Sequence, residues 1–95
     1  MKNELVLKLT KADIDYKRIS ISAALYQSNQ DFFPKFAFDF ILHTDAGIIR
    51  TNLRKSTHRI GKGLRPWFRA HSQLKEGAQA EFQKISADTF RLNLI

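Results

Sequence analysis

The chain has no cysteine, which excludes disulfide bridges, thiolate metal ligands and a thiol nucleophile, so its fold rests on packing and hydrogen bonds. Glycine and proline are scarce, four and two respectively, which excludes collagen-like and low-complexity architectures. No apolar run approaches the ~20 residues of a spanning helix, and residues 1–4 lack the apolar core of a signal peptide. No basic amphipathic helix of useful length is present for docking on an anionic lipid surface. The expectation is a soluble, cytoplasmic protein without a membrane partner. At 95 residues and 43% hydrophobic content, the chain has room for a single domain over residues 1–95 with one core.

Catalytic signatures are also lacking. His43, His58 and His71 stand in three separate elements with no short ligand spacing, so no metal site is expected. Gly61-Lys62-Gly63 has neither the glycine count nor the Lys-Ser/Thr ending of a phosphate-binding loop, and no nucleophile elbow occurs. A metal-dependent nuclease centre needs converging carboxylates. Asp13 and Asp15 lie in a basic segment, and Glu81 is followed two positions on by Gln83. A non-catalytic chain without a cofactor is expected.

Acidic residues are absent from one third of the chain, and this absence is the main functional signal. Residues 46–75 carry eight Lys/Arg and no Asp or Glu, whereas the other sixty-five residues hold eight basic and nine acidic side chains. The whole net charge of +7 therefore comes from one contiguous segment, and a polyanion is its natural partner.

Hydropathy alternates with period two over most of the sequence. Leu5, Leu7 and Leu9 give an inward face to a strand over 4–10, and Ile19 and Ile21 do the same over 18–22. Residues 35–44 place Phe36, Phe38, Phe40 and Leu42 inward and Lys35, Ala37, Asp39 and His43 outward. Asp45-Ala-Gly47 is a turn from which 47–53 returns as an antiparallel partner. Residues 78–86 and 89–94 form a last hairpin, with Ala80, Phe82, Phe90, Leu92 and Leu94 inward. Ser22 caps a helix over 23–29, which Phe33-Pro34 ends. Pro66 opens a second helix with Trp67, Phe68, His71 and Leu74 on one face and Gly77 closing it. About seven short strands and two short helices predict a mainly β, seven-stranded open or nearly closed barrel, which disposes of strand edges.

Two polar stretches fall outside this pattern. Residues 11–18 hold five charged side chains in eight and are read as an exposed connection or a projecting arm, and residues 54–63, which are polar, basic and glycine-terminated, as a second exposed arm. Arg54, Lys55, Ser56, Thr57, His58, Arg59 and Lys62 supply donors suited to phosphate oxygens and base edges, and Asn52 suits adenine. Lys11, Tyr16, Lys17 and Arg18 add to this from the first arm. Asp13 and Asp15 either accept from cytosine amino groups or pair locally with Lys11, Lys17 or Arg18.

Leu9-Thr-Lys-Ala-Asp13, Lys17-Arg-Ile-Ser-Ile-Ser22 and Phe32-Phe-Pro34 resemble the opening of the plant B-three DNA-binding domain. Gly63-Leu-Arg-Pro-Trp-Phe68, Leu74-Lys-Glu-Gly77 and Phe82 are similar to its later signature. The short loops look closer to the recognition or effector domains of EcoRII-like and BfiI-like restriction endonucleases. The resemblance implies a DNA-binding pseudobarrel that grips the major groove of double-stranded DNA. Its first arm would fall on 11–18 and its second on 53–60, with Arg50 and Asn52 on the strand leading in. It also implies a nuclease domain elsewhere in the same parent protein. Ala78 stands where the family usually has Asp, and Asp13 and Asp15 make the first arm more acidic than the plant pattern, so no relative's target sequence transfers. Alternatives are a small RNA-binding β-barrel, in which aromatics stack on unpaired bases, and a basic module that docks an acidic protein.

Overall fold

The computed structural model describes residues 3–36 and 38–95. In chain order the elements are β1 (Glu4–Lys8), α1 (Lys11–Tyr16), β2 (Ile19–Ser20), α2 (Ala23–Ser28), β3 (Asp39–Thr44), β4 (Gly47–Asn52), β5 (Arg59–Ile60), α3 (Arg65–Ala70), β6 (Gln79–Ser86) and β7 (Thr89–Leu94). The fold is mainly β with short helices. None of the helices described is long and apolar enough to cross a membrane.

Five strands form a mixed sheet in the order β1-β6-β7-β3-β4, in which β3 and β7 run parallel and the other neighbours antiparallel. β2 and β5 make a small second sheet, joined to the first by a bridge between Leu53, just past β4, and Ile60. No closed barrel forms among the described residues. Strand count was legible in the sequence, but closure depends on which edges meet, and no pairing links β1 to β2.

The alternation that builds the strands also builds the core. Leu5, Leu7, Phe40, Leu42, Ile49, Ala80, Phe82, Phe90 and Leu92 are buried from the inner face of the large sheet, with Ile19, Ile21, Leu53 and Ile60 from the small one. Phe32, Phe33, Leu64, Trp67 and Phe68 close the same cluster from the loops and α3. Leu94 is only half-buried, at the end of β7.

Three expectations are corrected. Residues 11–18 are a helical connection between β1 and β2: Thr10 and Asp13 form a reciprocal capping box that starts α1, and Lys17 ends it in the left-handed region at φ 56°. A third helix therefore joins the two expected. β3 begins at Asp39, not at residue 35, so Phe36 is half-buried beside Tyr26 and Phe38 is 67% exposed. The outward placement of Ala37 lies outside the described residues. Finally, α3 stops at Ala70, because His71 caps it and is held by Asp45 at 2.8 Å in the β3–β4 turn, and Gly77 belongs to a separate turn.

The loop from β5 to α3 passes so close to β4 that a Cβ at Gly63 would lie 2.8 Å from Ile49 Cγ2, at a backbone φ of +80°. Gly63→Ala is therefore expected to destabilise the fold by about 1–3 kcal/mol through both strain and overlap. Chemical denaturation checks this, and an unchanged midpoint would mean that the loop is free to move away from β4.

Candidate nucleic-acid interface

The basic segment is shaped by a tight reversal between β4 and β5. Arg54 N–H donates to the Arg59 carbonyl at 3.0 Å, and His58 N–H donates to the Arg54 carbonyl at 2.8 Å. These backbone bonds force the intervening residues outward, so Arg54, Lys55, Ser56 and Thr57 are all exposed. His58 adopts φ 52° and turns its ring inward, stacked on Tyr26 at 5.2 Å and tilted against Phe36 at 5.4 Å. Its carbonyl accepts from Ile21 N–H at 2.9 Å. His58 thus anchors the reversal to α2 and β2, and its ring is committed to packing instead of projecting with its neighbours.

A concave groove opens beside this reversal, lined by Arg18, Asn52, Arg54, Thr57, Arg59, Gly61 and Lys62. Four of these side chains are cationic and none is acidic. A shallower concavity adjoins it, lined by Asn52, Arg54, Lys55 and Ser56, so Asn52 and Arg54 stand on the ridge between the two. Two concavities sharing one cationic ridge can hold successive phosphates or base edges, because Arg presents a planar fork of donors and Asn both a donor and an acceptor. Within the described residues, Arg50 is the only one of the eight cations of residues 46–75 in an ion pair, with Asp39, which leaves the others to meet an anion.

The first stretch contributes less than the sequence suggests. Arg18 reaches the groove, its guanidinium 4.8 Å over the Tyr16 ring, while its Nε is buried without a hydrogen-bond partner among the described residues. Tyr16 is 70% exposed beside it. Lys11 and Asp15 are exposed on α1. Lys17 folds back, donating from Nζ to the Ile14 carbonyl at 2.9 Å and lying 6.0 Å over the Phe68 ring.

Asp13 is fully buried, so its expected role as a base-reading carboxylate is corrected. One oxygen accepts from Thr10 N–H at 3.0 Å, and the other from Ser20 N–H at 3.1 Å and Ser20 Oγ at 2.7 Å. No acceptor capacity faces solvent, and the side chain serves the start of α1 and the backbone of β2.

One residue of this surface escaped the sequence reading. Asp39 faces Asn52 across β3 and β4, accepting from Asn52 Nδ2 at 3.4 Å and lying 3.4 Å from Arg50 Nε. The signal was present, since a two-residue turn at Asp45-Ala46 fixes every cross-strand partner back to Asp39 and Asn52.

With this geometry in view, the comparisons reach the level of fold. No family model matches the chain, and no curated protein matches it. Among solved structures, the N-terminal domain of Helicobacter pylori LlaJI.R1 superposes with a TM-score of 0.73. The overlap covers all of this chain and 88% of that one, at 18% sequence identity. The two share a fold. The resemblance to the B-three domain rests on motif spacing in the sequence, and the LlaJI.R1 domain is similar in fold over the whole of this chain.

Proposed function

We propose that this chain is a sequence-specific, double-stranded DNA-binding domain of the pseudobarrel type, whose two arms grip the major groove. The observation that carries the reading is the acid-free groove of Arg18, Asn52, Arg54, Thr57, Arg59 and Lys62, with Asn52 and Arg54 on its ridge. Phosphate contacts from the cations supply affinity and salt sensitivity, while arginine and asparagine on the ridge reach base edges. The first arm is Lys11, Tyr16 and Arg18 on and after α1, and the second is the reversal at 53–60. The likeness in fold to the LlaJI.R1 domain supports a role in the recognition or effector part of a restriction endonuclease. Catalysis then belongs to a nuclease domain of the same parent protein, acting on DNA in the bacterial cytoplasm. The large aromatics are mostly core, which favours duplex DNA over stacking on unpaired RNA bases.

The test is selection from a random-sequence duplex pool, with fluorescence anisotropy of the enriched duplex at two salt concentrations. The expected result is a short enriched motif, with affinity falling as salt rises with a slope of about −0.9 for each neutralised phosphate. Binding without a motif would reduce the reading to a nonspecific DNA binder. Binding to single-stranded RNA but not to duplex would replace it with the RNA-binding alternative, and binding only to an acidic protein would replace it with the docking module.

A further inference from the structure

We infer that Asp39 is a specificity-determining carboxylate, which reads a cytosine through its amino group and holds Arg50 and Asn52 away from nonspecific phosphate contact. The inference rests on the DNA-binding reading and assigns one position of its target. Asp39 is an acid beside the otherwise cationic ridge. Its carboxylate is 39% exposed and meets Arg50 Nε and Asn52 Nδ2, each at 3.4 Å. Arg50 is itself 73% exposed, so the ion pair stands in solvent at the rim and contributes little to stability.

A surface built only to hold phosphates gains nothing from this carboxylate, which repels the backbone and occupies a guanidinium. A surface that reads bases gains twice. Carboxylate oxygens accept from cytosine N4, and a neighbouring arginine donates to guanine O6 and N7, so Asp39 and Arg50 together match the two donor and acceptor edges of C·G pairs in the major groove. Against an arbitrary sequence the pair stays closed, and the negative charge raises the cost of approach. The long 3.4 Å distances suit a pair that opens when a better partner arrives.

The test compares wild type with Asp39→Asn and with Glu4→Gln, which removes an exposed carboxylate from β1, at the opposite border of the large sheet from β4. The probes are the duplex enriched in selection and a scrambled duplex of the same composition. Asp39→Asn is expected to tighten binding to the scrambled duplex several-fold and to cut the ratio of enriched to scrambled affinity about tenfold. Selection with the variant should lose its preference for C at one position of the motif. The salt slope on the scrambled duplex should steepen by about one as Arg50 reaches a phosphate. Glu4→Gln should leave the ratio and the motif unchanged. Equal effects of Asp39→Asn on both duplexes, with the motif intact, would overturn the role of Asp39 while leaving the DNA-binding reading in place. Failure of wild type to bind any duplex would overturn both, and the two failures are thereby distinguished.

Discussion

Replacing Arg54 and Arg59 together with alanine is expected to weaken duplex binding by about 100-fold at moderate salt while leaving the fold intact. Arg54 stands on the ridge shared by both concavities, and Arg59 lines the deeper one. The reversal that carries them is held by backbone bonds from Arg54 N–H and His58 N–H and by the His58 ring, none of which needs either guanidinium. Truncating such outward side chains should shift stability by no more than about 0.5 kcal/mol. Each arginine acting on a phosphate lowers the salt slope by about one when removed, whereas an arginine acting on guanine leaves the slope and relaxes one motif position. The two single variants, measured by anisotropy against the selected duplex, therefore tell the roles apart. An unchanged dissociation constant in the double variant, with a native denaturation curve, would remove the groove from the interface.

Much of this interface was legible because its elements are local. The alternation of Leu5, Leu7 and Leu9, the Asp45-Ala-Gly47 turn and the acid-free stretch from residue 46 to residue 75 each declare themselves within a few residues. What escaped depends on partners distant in sequence. α3 carries its apolar spacing on to Leu74, yet it ends at Ala70 because Asp45 grips His71 from another loop. Phe36 and Phe38 alternate like a strand, but Tyr26 and His58 draw Phe36 into an aromatic stack and leave Phe38 outside it. A barrel follows from counting strands only if their outer edges pair, and the order of the large sheet leaves β1 and β4 at its borders. The first arm is different, since Thr10-Lys-Ala-Asp13 is a local capping-box spacing that the charge density of residues 11–18 obscured.

Asp13→Ala is expected to cost about 3 kcal/mol of folding stability, a large share of the roughly 5–15 kcal/mol available to a domain. The carboxylate is fully buried and accepts three hydrogen bonds, from Thr10 N–H, Ser20 N–H and Ser20 Oγ. Removing it strands backbone donors at about 1–3 kcal/mol each and deletes the reciprocal partner of the Thr10 cap. For a chain of this size the loss corresponds to a fall in melting temperature of about 12–24 °C. Asp13→Asn keeps the shape and one acceptor but turns an amide N–H₂ toward donors, so it should fall between alanine and wild type. Asp15→Ala, exposed on the same helix, should be nearly neutral. The consequence for function follows from where Ser20 sits: β2 pairs Ser20 with Arg59 of β5, so the carboxylate braces the strand that carries a groove cation. Below its melting transition, Asp13→Ala should bind the selected duplex with the wild-type salt slope and the same motif. A variant that stays fully folded yet loses one motif position would return Asp13 to the base-reading role that its burial denies it.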